Sequence, residues 1–183
     1  PWLFVDIVPN GGVEYKENAV RGKSGYVLPV KYTIKNVGRS VATSVTIRVS
    51  PFAALNEVGK PEVKRYEQAA KERDEVCHDE LYDMPFVFDS YWLFPNEALT
   101  KEEVFSIGEV GTISNMDEDL FLVGCVNYRF GDQPTHHQSG FIYEVVSAGR
   151  TRGLLPFNLR LGEKTPPDAI YFRSDFAGGK FAN

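Results

Sequence analysis

Two stretches of strict alternation constrain this chain more than anything else in it. Over residues 26–35, Tyr26, Leu28, Val30, Tyr32 and Ile34 fall on one side of an extended backbone, while Lys31, Thr33 and Lys35 fall on the other. Val45, Ile47 and Val49 repeat the pattern, with Thr46, Arg48 and Ser50 outward. A period of two marks a strand with one buried face; on a helix the same residues would scatter around the axis. Pro29 lacks a backbone donor and predicts an edge or a bulge in the first strand, and Pro51 predicts the end of the second.

Other segments read the same way. Residues 2–8 put Leu3, Val5 and Ile7 on one face, followed by the turn PNGG. Further strands are predicted over 86–94, 103–107, 120–130 and 140–146, with PNE, GEVG, SNMDED and GDQP as turns around them. The pair 120–130 and 140–146 forms a hairpin across FGDQPTHHQSG, and weaker strands follow over 154–161 and 169–173. Between the first and second groups the period changes. Val63, Tyr66, Ala70, Cys77 and Leu81 are spaced by three, four or seven, the stripe of a helix over about 61–83. Pro61 suits its first position and Glu62 complements its dipole. Seven to nine short strands with one inserted helix predict a mainly β fold, a β-sandwich; a closed barrel with a helical lid is the alternative.

Charge narrows the partners. The net charge is −5 with a pI of about 5.3, and 57–89 alone holds ten acidic and five basic side chains. A nucleic-acid surface needs a basic patch to neutralise phosphate, and that composition argues against one. No run of 18 apolar residues occurs, so these residues contain no helical membrane span. The chain opens at Pro1 directly into WLFVDIV, as an excised piece would, with a signal or anchor expected ahead of it.

The stretch YTIKNVG, with the small Ala42 after it and then VTIRV, resembles the Ig-like modules of bacterial surface and periplasmic proteins. In that pattern Asn36 bonds backbone groups of its own turn and Gly38 supplies conformational freedom there. More of the chain, namely KNVGRSVA, the Cys-bearing helix, LFPNE, GCVNYRF and HHQSGFIYE, is similar to uncharacterised bacterial proteins with an N-terminal membrane helix. The resemblance implies an Ig-like sandwich over 1–150 with a helical insertion at 57–85, and a C-terminal extension over 151–183 that packs on it and frays at its end. It also implies an extracytoplasmic, non-enzymatic module without cofactor. Its partner would be another protein or an envelope component, and it would reach the membrane only through an anchor outside this chain.

Cys77 lies on the inward stripe of the helix, and Cys125 shares a strand face with Phe121 and Val123. Both therefore point into the space between helix and sheet, the condition for a disulfide. Closing a separation of 48 residues is worth about 4 kcal/mol on the chain-entropy argument, and it implies an oxidising compartment. Two unrelated buried thiols are the alternative. Cys77 and His78 do not make a nucleophile and base, since neighbours on a helix point about 100° apart. His136 and His137 are expected in a loop, one packing and one in solvent, because adjacent imidazoles on extended backbone diverge; they are also candidate ligand contacts, and a hydrolase pairing Cys77 or Cys125 with one of them is a distant alternative that a disulfide excludes. The run NMDED at 115–119 is too tight for a calcium loop and reads as a polar turn. Tyr91, Trp92 and Phe94, with Trp2, are expected in the sandwich core; exposed, they would be ligand contacts, and a small-ligand or glycan-binding module is the alternative function. No GxSxG, P-loop, HExxH or GxGxxG occurs.

Overall fold

The computed structural model describes residues 2–20, 23–55, 63–78, 91–108, 118–130, 135–148, 154–155, 164–174 and 180–182. Alternation becomes strand throughout. The strands are β1 (Leu3–Pro9), β2 (Val13–Val20), β3 (Lys23–Asn36), β4 (Ala42–Leu55), β5 (Tyr91–Leu93), β6 (Ala98–Gly108), β7 (Glu118–Phe130), β8 (His136–Ala148), β9 (Leu154–Leu155), β10 (Lys164–Thr165), β11 (Ile170–Arg173) and β12 (Lys180–Ala182). The helix α1 spans Val63–His78. Eight of these strands are four residues or longer, and every pairing is antiparallel.

Two sheets pack face to face. In the first, β3 is central: β1 and β2 follow one another along one side, β6 runs along the other, and β10 extends beyond β2. The second runs β11-β8-β7-β4-β5, with β9 and β12 also on β8. Residues after 150 therefore join both sheets. Between the sheets lies the main core, with Leu28, Val30, Tyr32 and Ile34 of β3 facing Leu120, Leu122 and Val126 of β7. Gly124 interrupts that row because the Phe141 ring lies over it; a Cβ there would stand 2.8 Å from Phe141 Cε2 and meet the Arg48 carbonyl.

The helix makes a third layer. It covers the outer face of the second sheet through Tyr66, Ala69, Ala70 and Val76, on Phe52, Ala54, Phe121, Val123 and Ile142. Two small residues at the contact let the helix approach closely, and they also bury little apolar area. Polar and covalent fastenings make up the rest.

Several expectations need correction. Pro29 lies in a central strand, opposite Val104 of β6. Its other side faces the β1–β2 junction, where Asn10 N–H donates to the Pro29 carbonyl at 3.0 Å and no donor is required of Pro29. Pro51 does not end β4, which continues in register with β7 through Leu55. Among the described residues this part of β4 pairs only with β7, β5 reaching no further than Val45. The strand expected over 103–107 begins earlier, at Ala98. His136, His137 and Gln138 are not in a loop: they open β8, opposite Arg129, Tyr128 and Asn127. Pro61, Glu62, Leu81 and residues 86–90 and 115–117 fall outside the described residues.

Candidate functional site

Asn36 organises one end of the sandwich. It is fully buried where β3 ends and the chain crosses to the second sheet. Its Nδ2 donates to the Ser40 carbonyl at 2.8 Å and to the Leu93 carbonyl at 2.9 Å, while its Oδ1 accepts from Gly38 N–H at 3.0 Å. Its own N–H donates to the Glu97 carbonyl at 3.0 Å, and its carbonyl accepts from Asn96 N–H at 2.8 Å. One side chain thus ties the β3–β4 turn to the β5–β6 turn. That second turn has Pro95 followed by Asn96 at φ 68°, closed by Glu97 N–H to the Phe94 carbonyl at 3.0 Å, the residue order a type II turn requires.

This frame displays aromatics. On the three-residue β5 alternation sends Leu93 into the core and leaves Trp92 65% exposed; Phe94 beyond it is 49% exposed. The expectation that these residues fill the core is therefore overturned for Trp92 and Phe94, and also for Trp2 at 63%. Tyr91 is half-buried against the core, with Lys101 Nζ 4.7 Å from its ring centre. Trp92 and Trp2 stand on opposite outer faces, since each follows the parity opposite to its strand's buried residues.

The histidines separate as the alternation requires. His137 turns inward, stacked on Tyr128 with ring centres 5.8 Å apart and edge-on to Phe130 at 4.1 Å. His136 turns outward and is exposed; its Nε2 accepts from Arg129 Nη2 at 2.6 Å. Trp92, Arg129 and His136 therefore lie on the same outer face of the second sheet, beyond the C-terminal end of α1. Strand spacing puts Arg129 about 10 Å and His136 about 14 Å from the β5 position.

The helix is fastened at both ends. At its C-terminal end Cys77 and Cys125 form a disulfide with Cα atoms 5.3 Å apart, and Gln138 Nε2 donates to the Cys77 carbonyl at 2.8 Å. At its N-terminal end Arg65 pairs with buried Asp119. Beside it Tyr66 OH donates to Glu144 Oε2 at 2.5 Å, and Arg173 donates to both Glu144 and Tyr66. Burial and the Glu144 carboxylate push the Tyr66 hydroxyl well above its usual range, so it stays protonated as a donor. Burial works against the Arg173 charge, but its bonds to Tyr66 and Glu144 outweigh that and hold it protonated more firmly than usual. Such a cluster fastens the helix. Its signal in the sequence was slight: Asp119 and Glu144 are acids next to the apolar Phe121, Val123 and Ile142 on the helix-facing side.

Among the described residues, no group of three or more His, Cys, Asp or Glu side chains gathers as for a metal ion. No described helix is long and apolar enough to cross a membrane. The disulfide is compatible with an extracytoplasmic location. Compared with family models, curated proteins and solved structures, the chain finds no match.

Proposed function

We propose that the protein is a non-enzymatic, extracytoplasmic binding module. It holds a partner protein or envelope component on the outer face of the second sheet, with Trp92 as the anchor. One observation carries this reading: Trp92 is 65% exposed on a strand whose neighbour Leu93 is buried and bonded to Asn36. A large aromatic held outward by a rigid frame loses little entropy on binding, and Trp and Arg dominate binding energy at interfaces. Phe94 and Arg129 stand within reach of the same contact.

A photoreactive residue replacing Trp92 in native cells tests this. A discrete adduct from position 92, absent when the probe replaces exposed Lys71 on the helix, supports the reading. Equal labelling from both positions, or none, removes it.

A glycan is the second reading. Arg129 and His136 put hydrogen-bonding groups on the face that Trp92 shares, and sugars stack on aromatics while bonding such groups. Retention on a glycan array that is lost in Trp92→Ala would select this reading over a protein partner.

A further inference from the structure

Among the described residues, five of the eight large apolar side chains that stand exposed gather at one end of the sandwich: Trp2, Phe4, Val37, Trp92 and Phe94. The Asn36 junction puts them there. Trp2 and Phe4 flank Leu3, which lies opposite Asn36 in the register of β1 and β3. Trp92 and Phe94 flank Leu93, whose carbonyl accepts from Asn36 Nδ2. Val37 follows Asn36, and its N–H donates to the Trp2 carbonyl at 2.8 Å. Phe94 N–H is held by Glu97 Oε2 at 2.9 Å. The main chain behind each of these side chains is therefore fixed while the side chains meet solvent.

An occupant has to reach two opposite sides at once. Packed sheets stand about 10 Å apart; Phe4 projects outward from the first sheet and Trp92 from the second. A partner of fixed shape would have to enclose the whole end, whereas a fluid lipid interface closes around it. Trp suits that boundary, since its ring is apolar and its N–H seeks water or headgroups.

Charge agrees with this occupant. Lys35, Arg39, Lys101 and Arg129 stand around this end, against Asp6 and Glu97. Counting Asp132 as well, which lies outside the described residues, the balance here stays positive on a chain of net charge −5. Cations beside exposed aromatics complement anionic headgroups.

We propose that this end of the sandwich docks on the surface of an anionic phospholipid bilayer. Trp2, Phe4, Val37, Trp92 and Phe94 enter the headgroup region, and Lys35, Arg39 and Arg129 meet lipid phosphate. The proposal rests on the reading of Trp92 as a contact residue and names the envelope component that it touches.

Vesicles of equal parts phosphatidylglycerol and phosphatidylcholine test it, beside vesicles of phosphatidylcholine alone. Sedimentation should show saturable binding to the mixed vesicles and about tenfold weaker binding to the neutral ones. Trp2 and Trp92 are the only tryptophans in the chain, so Trp2→Phe and Trp92→Phe each leave one reporter. Lipid brominated high on its acyl chains should quench both reporters. Lys35→Glu combined with Arg39→Glu, exposed changes whose fold is checked by melting temperature, should weaken binding to the mixed vesicles about tenfold. Tyr171→Ala removes an exposed aromatic near the other end of β8 and should change nothing. Absence of binding to the mixed vesicles, equal binding to both kinds, or quenching of one tryptophan only overturns the proposal. Undiminished binding of the charge variant, or loss in Tyr171→Ala, does the same. A protein adduct from position 92 in cells without vesicle binding would strike the lipid and leave the binding role of Trp92; failure of both removes both.

Discussion

Asn36 Nδ2 donates to the main-chain carbonyl of Leu93, 57 residues further along the chain, at 2.9 Å. The turn that looked like a local backbone device is the point where two distant loops are joined. Asn36→Ala leaves the buried Leu93 carbonyl without this partner, together with the part-buried Ser40 carbonyl and Gly38 N–H. Unmade buried hydrogen bonds cost about 1–3 kcal/mol each, so a total loss of about 3 kcal/mol is expected, partly relieved by relaxation. Asn36→Asp should be no better, since it keeps the acceptor for Gly38 but faces two carbonyls with a carboxylate. Urea denaturation of both variants measures this, and a loss below 1 kcal/mol for either would show that the junction is held elsewhere.

The disulfide gives a second prediction. Replacing both Cys77 and Cys125 with Ser should cost about 4 kcal/mol for a loop of this length. The helix should then open from its C-terminal end, because Arg65, Tyr66 and Arg173 still hold the other. Hydrogen exchange by mass spectrometry should show faster exchange around residues 74–78 and slower change around 65–69. Thiol titration of the denatured, unreduced wild type should find no reactive thiol. Two thiols would dismiss both the bridge and the inference about compartment.

The legible parts of this fold were those that depend on local period. Alternation located β1, β3 and β4, a run of apolar residues bounded by turns located β7, and the change to a helical stripe located α1. The two together placed Cys77 and Cys125 in one layer before any pairing was known. What stayed hidden depends on partners. Whether Pro51 stops a strand depends on which neighbour needs its donor, and among the described residues none pairs with that side of β4 beyond Val45. Arg173 meets Glu144 through cross-strand register, and no spacing in the chain announces that. In YWLF every residue is apolar, so alternation says that Trp92 and Leu93 diverge without saying which faces water.

Alkaline pH probes the contact between the sheets. Tyr143 of β8 donates to the Val5 carbonyl of β1 at 2.7 Å, and burial, helped by the Asp6 carboxylate, pushes its hydroxyl up to about 12. In the unfolded chain it titrates near 10. Below about pH 10 both states are protonated and the contribution is complete. Between about 10 and 12 the unfolded state ionises first and binds fewer protons, so stability falls as pH rises. Tyr66 shifts in the same direction and further, and adds to the fall. Tyr143→Phe should lose about 1 kcal/mol at pH 7 with the hydrogen bond, yet decline less steeply between pH 10 and 12. Denaturant midpoints at stepped pH decide it: an unchanged slope in Tyr143→Phe would assign the alkaline loss to other groups.

Neighbouring residues on β5 give the sharpest contrast. Leu93 is 4% exposed in the main core, whereas Trp92 is 65% exposed beside it. Leu93→Ala removes buried methyl groups and leaves a cavity, at an expected cost of about 2–5 kcal/mol. Trp92→Ala removes a larger side chain but little buried area, so its cost should stay within about 0.5 kcal/mol. The order is the reverse of what residue size predicts, which makes it a direct test of the frame built on Asn36. If thermal melting shows Trp92→Ala as damaging as Leu93→Ala, Trp92 is packed in solution and the binding role proposed for it falls. If Trp92→Ala melts like the wild type, crosslinking or glycan retention lost in that variant can be read as loss of contact and not of fold.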